Sequence, residues 1–277
     1  MRILVTGASG RLGSAIAHAY RSRATVVAMS RAALDIADEA AVAAIVAAAR
    51  PDAVINCAAF NDVDGAEQEV AAAIRVNALG VRTLARAAAG AGAIFVHYGT
   101  DFVFDGGAAQ PYAEHDATGP QSVYACSKLM GEWFAAECPR HYVLRVASLF
   151  GGSGRPSTID HIAGAIRRRE PMGVFVDRTV TPSHVPDVVD ATWTLVTGAA
   201  PAGVYHCVSA GVTTWFALAQ ELARQLGIEA ELVPVKVADV VMKARRPQYA
   251  ALSNDKLACA GVALPSWSEA LRRYLSS

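Results

Sequence analysis

The stretch Gly7-Ala8-Ser9-Gly10-Arg11-Leu12-Gly13 decides the fold of this chain. It follows a short apolar run, Ile3–Val5, and it leads into Arg11–Arg21, where apolar residues recur at helical spacing. A G-x-x-G-x-x-G turn between a strand and a helix lets the backbone bend tightly and directs helix amides at a phosphate. At the very start of a chain, this arrangement predicts a dinucleotide-binding strand–helix–strand unit.

The rest of the first half alternates apolar β-type runs with helical segments. The predicted strands are Thr25–Met29, Ala53–Asn56, Ile94–His97 and Tyr142–Val146, and the predicted helices are Glu39–Ala49, Ala66–Gly90 and Ser122–Glu137. Near-continuous apolar strands that alternate with helices are typical of a parallel sheet covered on both faces. Residues 1–150 are therefore predicted to form a dinucleotide-binding domain, a doubly wound parallel α/β sheet of the Rossmann type.

The alternation breaks after the glycine-rich stretch Gly151–Pro156. The second half mixes helices with short strands, predicted at Ile159–Arg169, Gly173–Val176, Pro186–Thr197, Trp215–Leu226, Glu231–Val235 and Ser266–Leu275. One further strand, near residues 203–208, is expected to return to the main sheet. We predict that residues 151–277 form mainly a smaller α+β lid that binds substrate.

Composition excludes several classes of partner. The 277 residues carry 25 basic and 25 acidic side chains and are 53% hydrophobic, so the chain has no bulk attraction to nucleic acid or to an anionic membrane. No stretch reaches the roughly 20 apolar residues of a membrane span. The five cysteines lack a C-x-x-C pair and the seven histidines lack metal-type spacing, which favours a cytoplasmic protein without metal. A homodimer is left open.

The ends of the second and third strands supply candidate cofactor contacts. Ser30-Arg31 ends the second strand, where an arginine suits the 2′-phosphate of NADPH; a solvated arginine is the alternative, and NADH is not excluded. Asp35-Ile36 is placed near the adenine, although Asp35 could instead cap the next helix. Small residues in Cys57-Ala58-Ala59 would let a cofactor lie against the backbone. Asn77, a poor helix former, either braces the sheet or lies on the surface.

The chemical site is predicted where the fourth strand ends and a helix begins. Tyr124 and Lys128 lie four residues apart and thus on one face of a helix. A lysine ammonium near a phenol lowers its pKa from about 10 and makes it a usable general acid or base. Thr100 can donate to a substrate carbonyl, and Asp101 either binds substrate hydroxyls or caps the turn.

These motifs together resemble the extended short-chain dehydrogenase/reductases, and most closely the dTDP-4-dehydrorhamnose reductase family. The similarity covers nearly the whole chain and rests on the glycine turn, Asn56–Ala59, Val63–Glu67, Thr100–Gly106, Tyr124–Lys128, Thr181–Asp187, Arg246–Leu252 and Leu264–Leu271. The catalytic motifs are shared across the superfamily, whereas the Arg-Pro and Pro-Ser-Trp segments are narrower.

The resemblance implies that Tyr124 donates a proton, that Lys128 tunes it and holds the nicotinamide ribose, and that Thr100 polarises the ketone. NAD(P)H would then deliver hydride to C4 of a nucleotide-linked 4-keto-6-deoxysugar. Two departures bear on the sugar: Phe102 stands where the family usually has tyrosine, and Ser148-Leu149 where it usually has tryptophan.

The predicted site has a cofactor part and a substrate part. The predicted cofactor contacts are Gly7, Ser9, Gly10, Arg11, Leu12, Gly13, Ser30, Arg31, Asp35, Ile36, Cys57, Ala58, Ala59, Asn77, Tyr124 and Lys128. The predicted substrate contacts are Thr100, Asp101, Phe102 and Arg246. Two alternatives remain open: a nucleotide-sugar epimerase, and a non-catalytic NADP-binding regulatory subunit resembling the methionine adenosyltransferase β subunit.

Overall fold

The strands of the first half form one parallel sheet in a computed structural model that describes residues 1–276. The sheet strands are β1 (Arg2–Thr6), β2 (Thr25–Met29), β3 (Ala53–Asn56), β4 (Ile94–Thr100), β5 (His141–Val146) and, from the second half, β8 (Gly203–His206). Their order is β2-β1-β3-β4-β5-β8, all parallel. The α/β prediction is confirmed, and all strands present their carboxyl ends at one edge.

Helices cover both faces of this sheet. They are α1 (Arg11–Tyr20), α2 (Glu39–Ala49), α3 (Val63–Ala66), α4 (Val70–Ile74), α5 (Gly80–Gly90), α6 (Val123–Ala135), α7 (Thr158–Arg168), α8 (Val185–Thr197), α9 (Trp215–Leu226), α10 (Asp255–Cys259) and α11 (Trp267–Leu275), of which α7, α9 and α11 belong to the lid. Alternate residues of β1 show why both faces must be covered. Ile3 and Val5 pack in one core with α1 and α8, while Leu4 packs in the other with α2 and α5.

The long helical segment predicted over Ala66–Gly90 is present, but not as one regular α-helix. After α3 the chain forms α4, a π-helical turn at Arg75–Leu79 and α5 in unbroken succession. Asn77 in this turn is fully buried and its amide bonds the Phe60 backbone and Ser127. A π-helical turn accommodates one extra residue and so redirects a side chain. Here the redirected side chain is that of Asn77, which points inward and forms these hydrogen bonds.

The second half supplies elements to two places. β8 and α8 pack on the main sheet, whereas the lid has a core of its own around Ile162, Val174 and Leu218. Two small sheets stiffen it: β6 (Met172–Phe175) pairs with β10 (Leu232–Val235), and β7 (Thr179–Val180) pairs with β9 (Thr213–Thr214). A division of function at residue 150 stays a prediction.

Within residues 1–276, no helix is both long and apolar enough to cross a membrane. The same residues contain no group of three or more histidine, cysteine or carboxylate side chains arranged to hold a metal ion.

Candidate functional site

A cavity of about 540 Å³ opens at the carboxyl ends of β1, β3, β4 and β5. This is the edge at which parallel α/β sheets bind ligands. It brings together many of the predicted contacts, namely Gly10, Arg11, Leu12, Cys57, Ala58, Ala59, Thr100, Asp101, Phe102, Tyr124, Lys128 and Arg246.

The glycine turn is as tight as its sequence requires. Gly7 has φ +64°, and a Cβ added there would lie 2.5 Å from the Ala58 nitrogen. A Cβ on Gly13 would lie 2.4 Å from the Gly7 carbonyl oxygen. Gly7 and Gly13 therefore bring the turn against the β3–α3 segment and leave Gly10, the N-cap of α1, free to face the cavity.

The side chain of Arg11 forms its hydrogen bonds with the lid. Its guanidinium donates to the carbonyl oxygens of Gly151 (2.6 Å) and Arg155 and to the Asp160 carboxylate (3.2 Å). Only the backbone of Arg11 remains available for a phosphate. These hydrogen bonds of Arg11 therefore hold the glycine-rich Gly151–Pro156 connection against the glycine turn.

The residues expected around the adenine lie outside the cavity lining. Ser30 and Arg31 follow β2, and Arg31 is exposed. Asp35 pairs with Arg75 at 2.5 Å, and this hydrogen bond lowers the pKa of the Asp35 carboxyl. The alternative in which Asp35 caps α2 is wrong, because Asp38 accepts that hydrogen bond from Ala41.

Two predicted cofactor contacts have buried side chains used elsewhere. Ile36 packs in the core so closely against α5 that a Cβ on Gly80 would lie 2.6 Å from it. Asn77 accepts from the Phe60 amide at 2.8 Å and donates to Ser127 Oγ at 3.0 Å. The expectation that Asn77 braces the sheet region fits this geometry, and a surface position is wrong. Its side chain is a support behind the cavity.

Thr100, Asp101 and Tyr124 form the polar centre of the cavity. Thr100 Oγ1 donates to Asp101 Oδ1 at 3.1 Å and accepts from the Phe102 amide at 3.3 Å. Phe102 packs edge-on against the Tyr124 ring, with centroids 5.8 Å apart. Asp101 is 3% exposed, and burial raises the pKa of its carboxyl to about 6, against the lowering effect of the Arg178 charge.

The prediction that Lys128 lowers the pKa of Tyr124 is wrong for this structure. Burial raises the pKa of the Tyr124 phenol to about 12, outweighing the lowering effect of the neighbouring Thr100 hydroxyl. The Lys128 ammonium donates instead to the Tyr98 carbonyl oxygen at 2.5 Å. Burial lowers the pKa of Lys128 to about 8, opposed by the nearby Glu132 carboxylate.

A buried ion pair joins the helix that carries Tyr124 and Lys128 to the sheet. Arg145 on β5 donates to Glu132 on α6 through Nε (3.0 Å) and Nη2 (2.8 Å), and both side chains are at most 5% exposed. Losing one member of such a pair leaves a buried charge uncompensated. The pair therefore locks the helix that carries Tyr124 and Lys128 onto the sheet.

Arg246 is brought to the cavity but is not free there. Its guanidinium donates to both oxygens of Asp64, at 3.1 and 2.8 Å, and Asp64 also accepts from the Ala244 amide. The predicted substrate contact thus fastens the lid segment to α3.

Sequence reasoning missed Arg178 and gave Trp215 no role beyond starting a predicted helix. Both line the cavity. Arg178 precedes the two-residue strand β7, and no motif or periodicity marks it. Trp215 begins α9, and its helical spacing indicates burial without indicating a ligand.

The comparisons with known proteins agree with this geometry. Residues 1–277 match the family described as RmlD substrate binding domain. A dTDP-4-dehydrorhamnose reductase of Streptomyces griseus is 39% identical, covering 98% of this chain and 91% of the relative.

Solved structures of the same name are also similar to this chain. The dTDP-4-dehydrorhamnose reductase of Clostridium acetobutylicum superposes with a TM-score of 0.95 at 33% identity, covering 100% of this chain and 99% of the other. The Bacillus anthracis enzyme, solved in complex with NADP, has a TM-score of 0.94 at 29% identity, covering 99% and 98%. The resemblance to the dTDP-4-dehydrorhamnose reductases is confirmed, and this chain belongs to the RmlD substrate-binding domain family.

Proposed function

We propose that this protein catalyses the NADPH-dependent reduction of the C4 ketone of a dTDP-linked 4-keto-6-deoxysugar. The observation that carries the proposal is the meeting of Thr100, Tyr124 and Lys128 in the cavity that the glycine turn also borders. The names of the similar enzymes support the substrate class, and dTDP-4-dehydrorhamnose is the compound to test first.

The residues present fit a dinucleotide. The cradle at Gly7 has no room for a Cβ beside Ala58, and the amides at Gly10–Gly13 begin a helix directed at the cavity. Arg31, exposed beyond β2, would hold the 2′-phosphate, and Cys57–Ala59 would contact the nicotinamide side. When bound, NADPH supplies the hydride.

The raised pKa of Tyr124 suits the reductive direction. With a pKa of about 12, the phenol is protonated at neutral pH and can donate its proton to an oxygen that develops negative charge. Thr100 would donate a second hydrogen bond to the same oxygen after turning away from Asp101. Asp101 would then accept from a substrate hydroxyl.

Lys128 would hold the nicotinamide ribose of the cofactor. Its side chain lines the cavity from the same face of α6 as Tyr124. Because the pKa of Lys128 is lowered to about 8, its charge is present at pH 7 and is lost as pH rises through 8.

We propose the cytoplasm as the site of action, since all five cysteines are free thiols.

Purified protein is tested by following NADPH consumption with dTDP-4-dehydrorhamnose. Tyr124→Phe should keep NADPH binding and lose about 10²–10⁴-fold in kcat, the typical contribution of a general acid. Tyr142→Phe is the matched control, because its hydroxyl bonds the Ala200 carbonyl outside the cavity. Absence of NADPH oxidation with every 4-keto sugar nucleotide tried would contradict the proposal.

A further inference from the structure

One arginine stands at the junction of two cavities. The first cavity holds Thr100 and Tyr124. The second, of about 570 Å³, lies in the lid and is lined mainly by apolar side chains such as Ile162, Met172 and Val174. Arg178 borders both. A group bound across the junction would therefore pass this side chain.

The guanidinium of Arg178 has no acceptor among residues 1–276. No hydrogen bond or ion pair of its side chain is formed there, and its Nε is buried without a partner. Its only specific contact is with the face of Phe102, whose ring centroid lies 5.6 Å from Cζ. Asp101, the carboxylate whose charge acts on Arg178, already accepts a hydrogen bond from Thr100. A cation–π contact holds the guanidinium in place while leaving its N–H groups uncommitted.

The other arginines at the cavity are used or solvated. Arg246 is held by both oxygens of Asp64, Arg11 is held by the lid, and Arg155 is exposed. Arg178 is therefore the half-buried cation that lacks a partner. Burial lowers the pKa of Arg178, opposed by the charge of Asp101 and aided by the charge of Arg246. A buried charge without an acceptor is costly, and an anion would remove that cost.

A second orphan donor lies beside it. Trp215 is 5% exposed, borders both cavities, and its Nε1 is buried without an acceptor. The Trp215 backbone amide also bonds the Arg178 carbonyl at 3.2 Å. The backbone that carries Arg178 is thereby fixed relative to α9, so two unsatisfied donors occupy one rigid corner.

We propose that Arg178 binds the diphosphate of the nucleotide sugar, holding the sugar toward Thr100 and Tyr124 and the nucleoside toward the apolar lid cavity. The planar fork of an arginine matches two phosphate oxygens at once. This inference rests on the proposed function, because it presumes a diphosphate-linked substrate.

The test compares Arg178→Met with wild type by calorimetric titration of thymidine diphosphate and of thymidine. Arg272→Met is the matched control: it removes the same charge from an exposed position of the lid. Arg178→Met should bind thymidine diphosphate about 10- to 100-fold more weakly, the effect of one lost hydrogen-bonded charge contact, while thymidine and NADPH affinities stay within about twofold. Arg178→Lys should fall between them.

The outcomes separate the two proposals, since binding needs no turnover. Equal loss of thymidine affinity, unchanged thymidine diphosphate affinity, or a wild type that does not bind thymidine diphosphate would overturn the role of Arg178. If thymidine diphosphate binding falls as expected while the wild type consumes no NADPH, the inference stands and the proposed reaction fails. With turnover, KM for the sugar nucleotide should rise more than kcat falls.

Discussion

Replacing Asp101 by asparagine should stabilise the protein at neutral pH. Asp101 is 3% exposed and its pKa is raised from 3.8 to about 6, chiefly by burial. Well below pH 3.8 both the folded and the unfolded chain carry this proton. As pH rises through 3.8 to 6, the unfolded chain releases it first, so the free energy of unfolding falls.

The size of the effect follows from the shift. A difference of about two pKa units at 1.36 kcal/mol per unit is about 3 kcal/mol, lost from wild type by pH 7. Asp101→Asn cannot ionise and keeps one acceptor for the Thr100 hydroxyl. Its advantage over wild type should therefore grow by about 2.5 kcal/mol between pH 4 and pH 7.

Urea unfolding at several pH values measures this difference. Carboxyls with lowered pKa, such as Asp64 and Asp187, give the opposite slope, but they are common to both proteins and cancel. Asp190→Asn is the control, because that carboxylate is exposed and pairs only with Arg23 at 3.6 Å. A difference between Asp101→Asn and wild type that stays constant from pH 4 to pH 7 would refute the reasoning.

Three further substitutions test the cofactor side of the cavity. Gly7→Ala should weaken NADPH binding at least tenfold by titration, because its Cβ would meet the Ala58 nitrogen at 2.5 Å with φ at +64°; normal affinity would mean the turn can shift freely. Arg31→Ala should weaken NADPH more than NADH, and equal effects would make Arg31 a solvated side chain. Asn77→Ala should lower the free energy of unfolding by about 1–3 kcal/mol, because it leaves buried backbone groups of Phe60 unpaired; no loss in chemical denaturation would contradict its bracing role.

Local signals were sufficient for much of the fold. Thr25–Met29, Glu39–Ala49, Ala53–Asn56 and Trp215–Leu226 have the bounds that periodicity and breaking residues predicted. The π-turn was missed, because it depends on where Asn77 finds partners after the chain has folded. Periodicity over Ala66–Gly90 carries no information about those partners.

The site was predictable where a motif ties residues to a strand end. The glycine turn and the Tyr124–Lys128 helix belong to that group. The pairing of Arg246 with Asp64 was not predictable, because it joins residues far apart in sequence. The raised pKa of Tyr124 was not predictable for a similar reason. Spacing on a helix places a lysine nearby, but burial decides whether the pKa of the phenol rises or falls.

The proposed hydride transfer is tested most directly by isotope labelling. Wild-type protein is incubated with dTDP-4-dehydrorhamnose and NADPH carrying deuterium at the transferred position of the nicotinamide, and the sugar product is analysed by mass spectrometry and NMR. We predict one deuterium per product molecule, located at C4, with one NADPH consumed for each. A product without deuterium, or an isomerised sugar with no net consumption of NADPH, would contradict the proposed reduction.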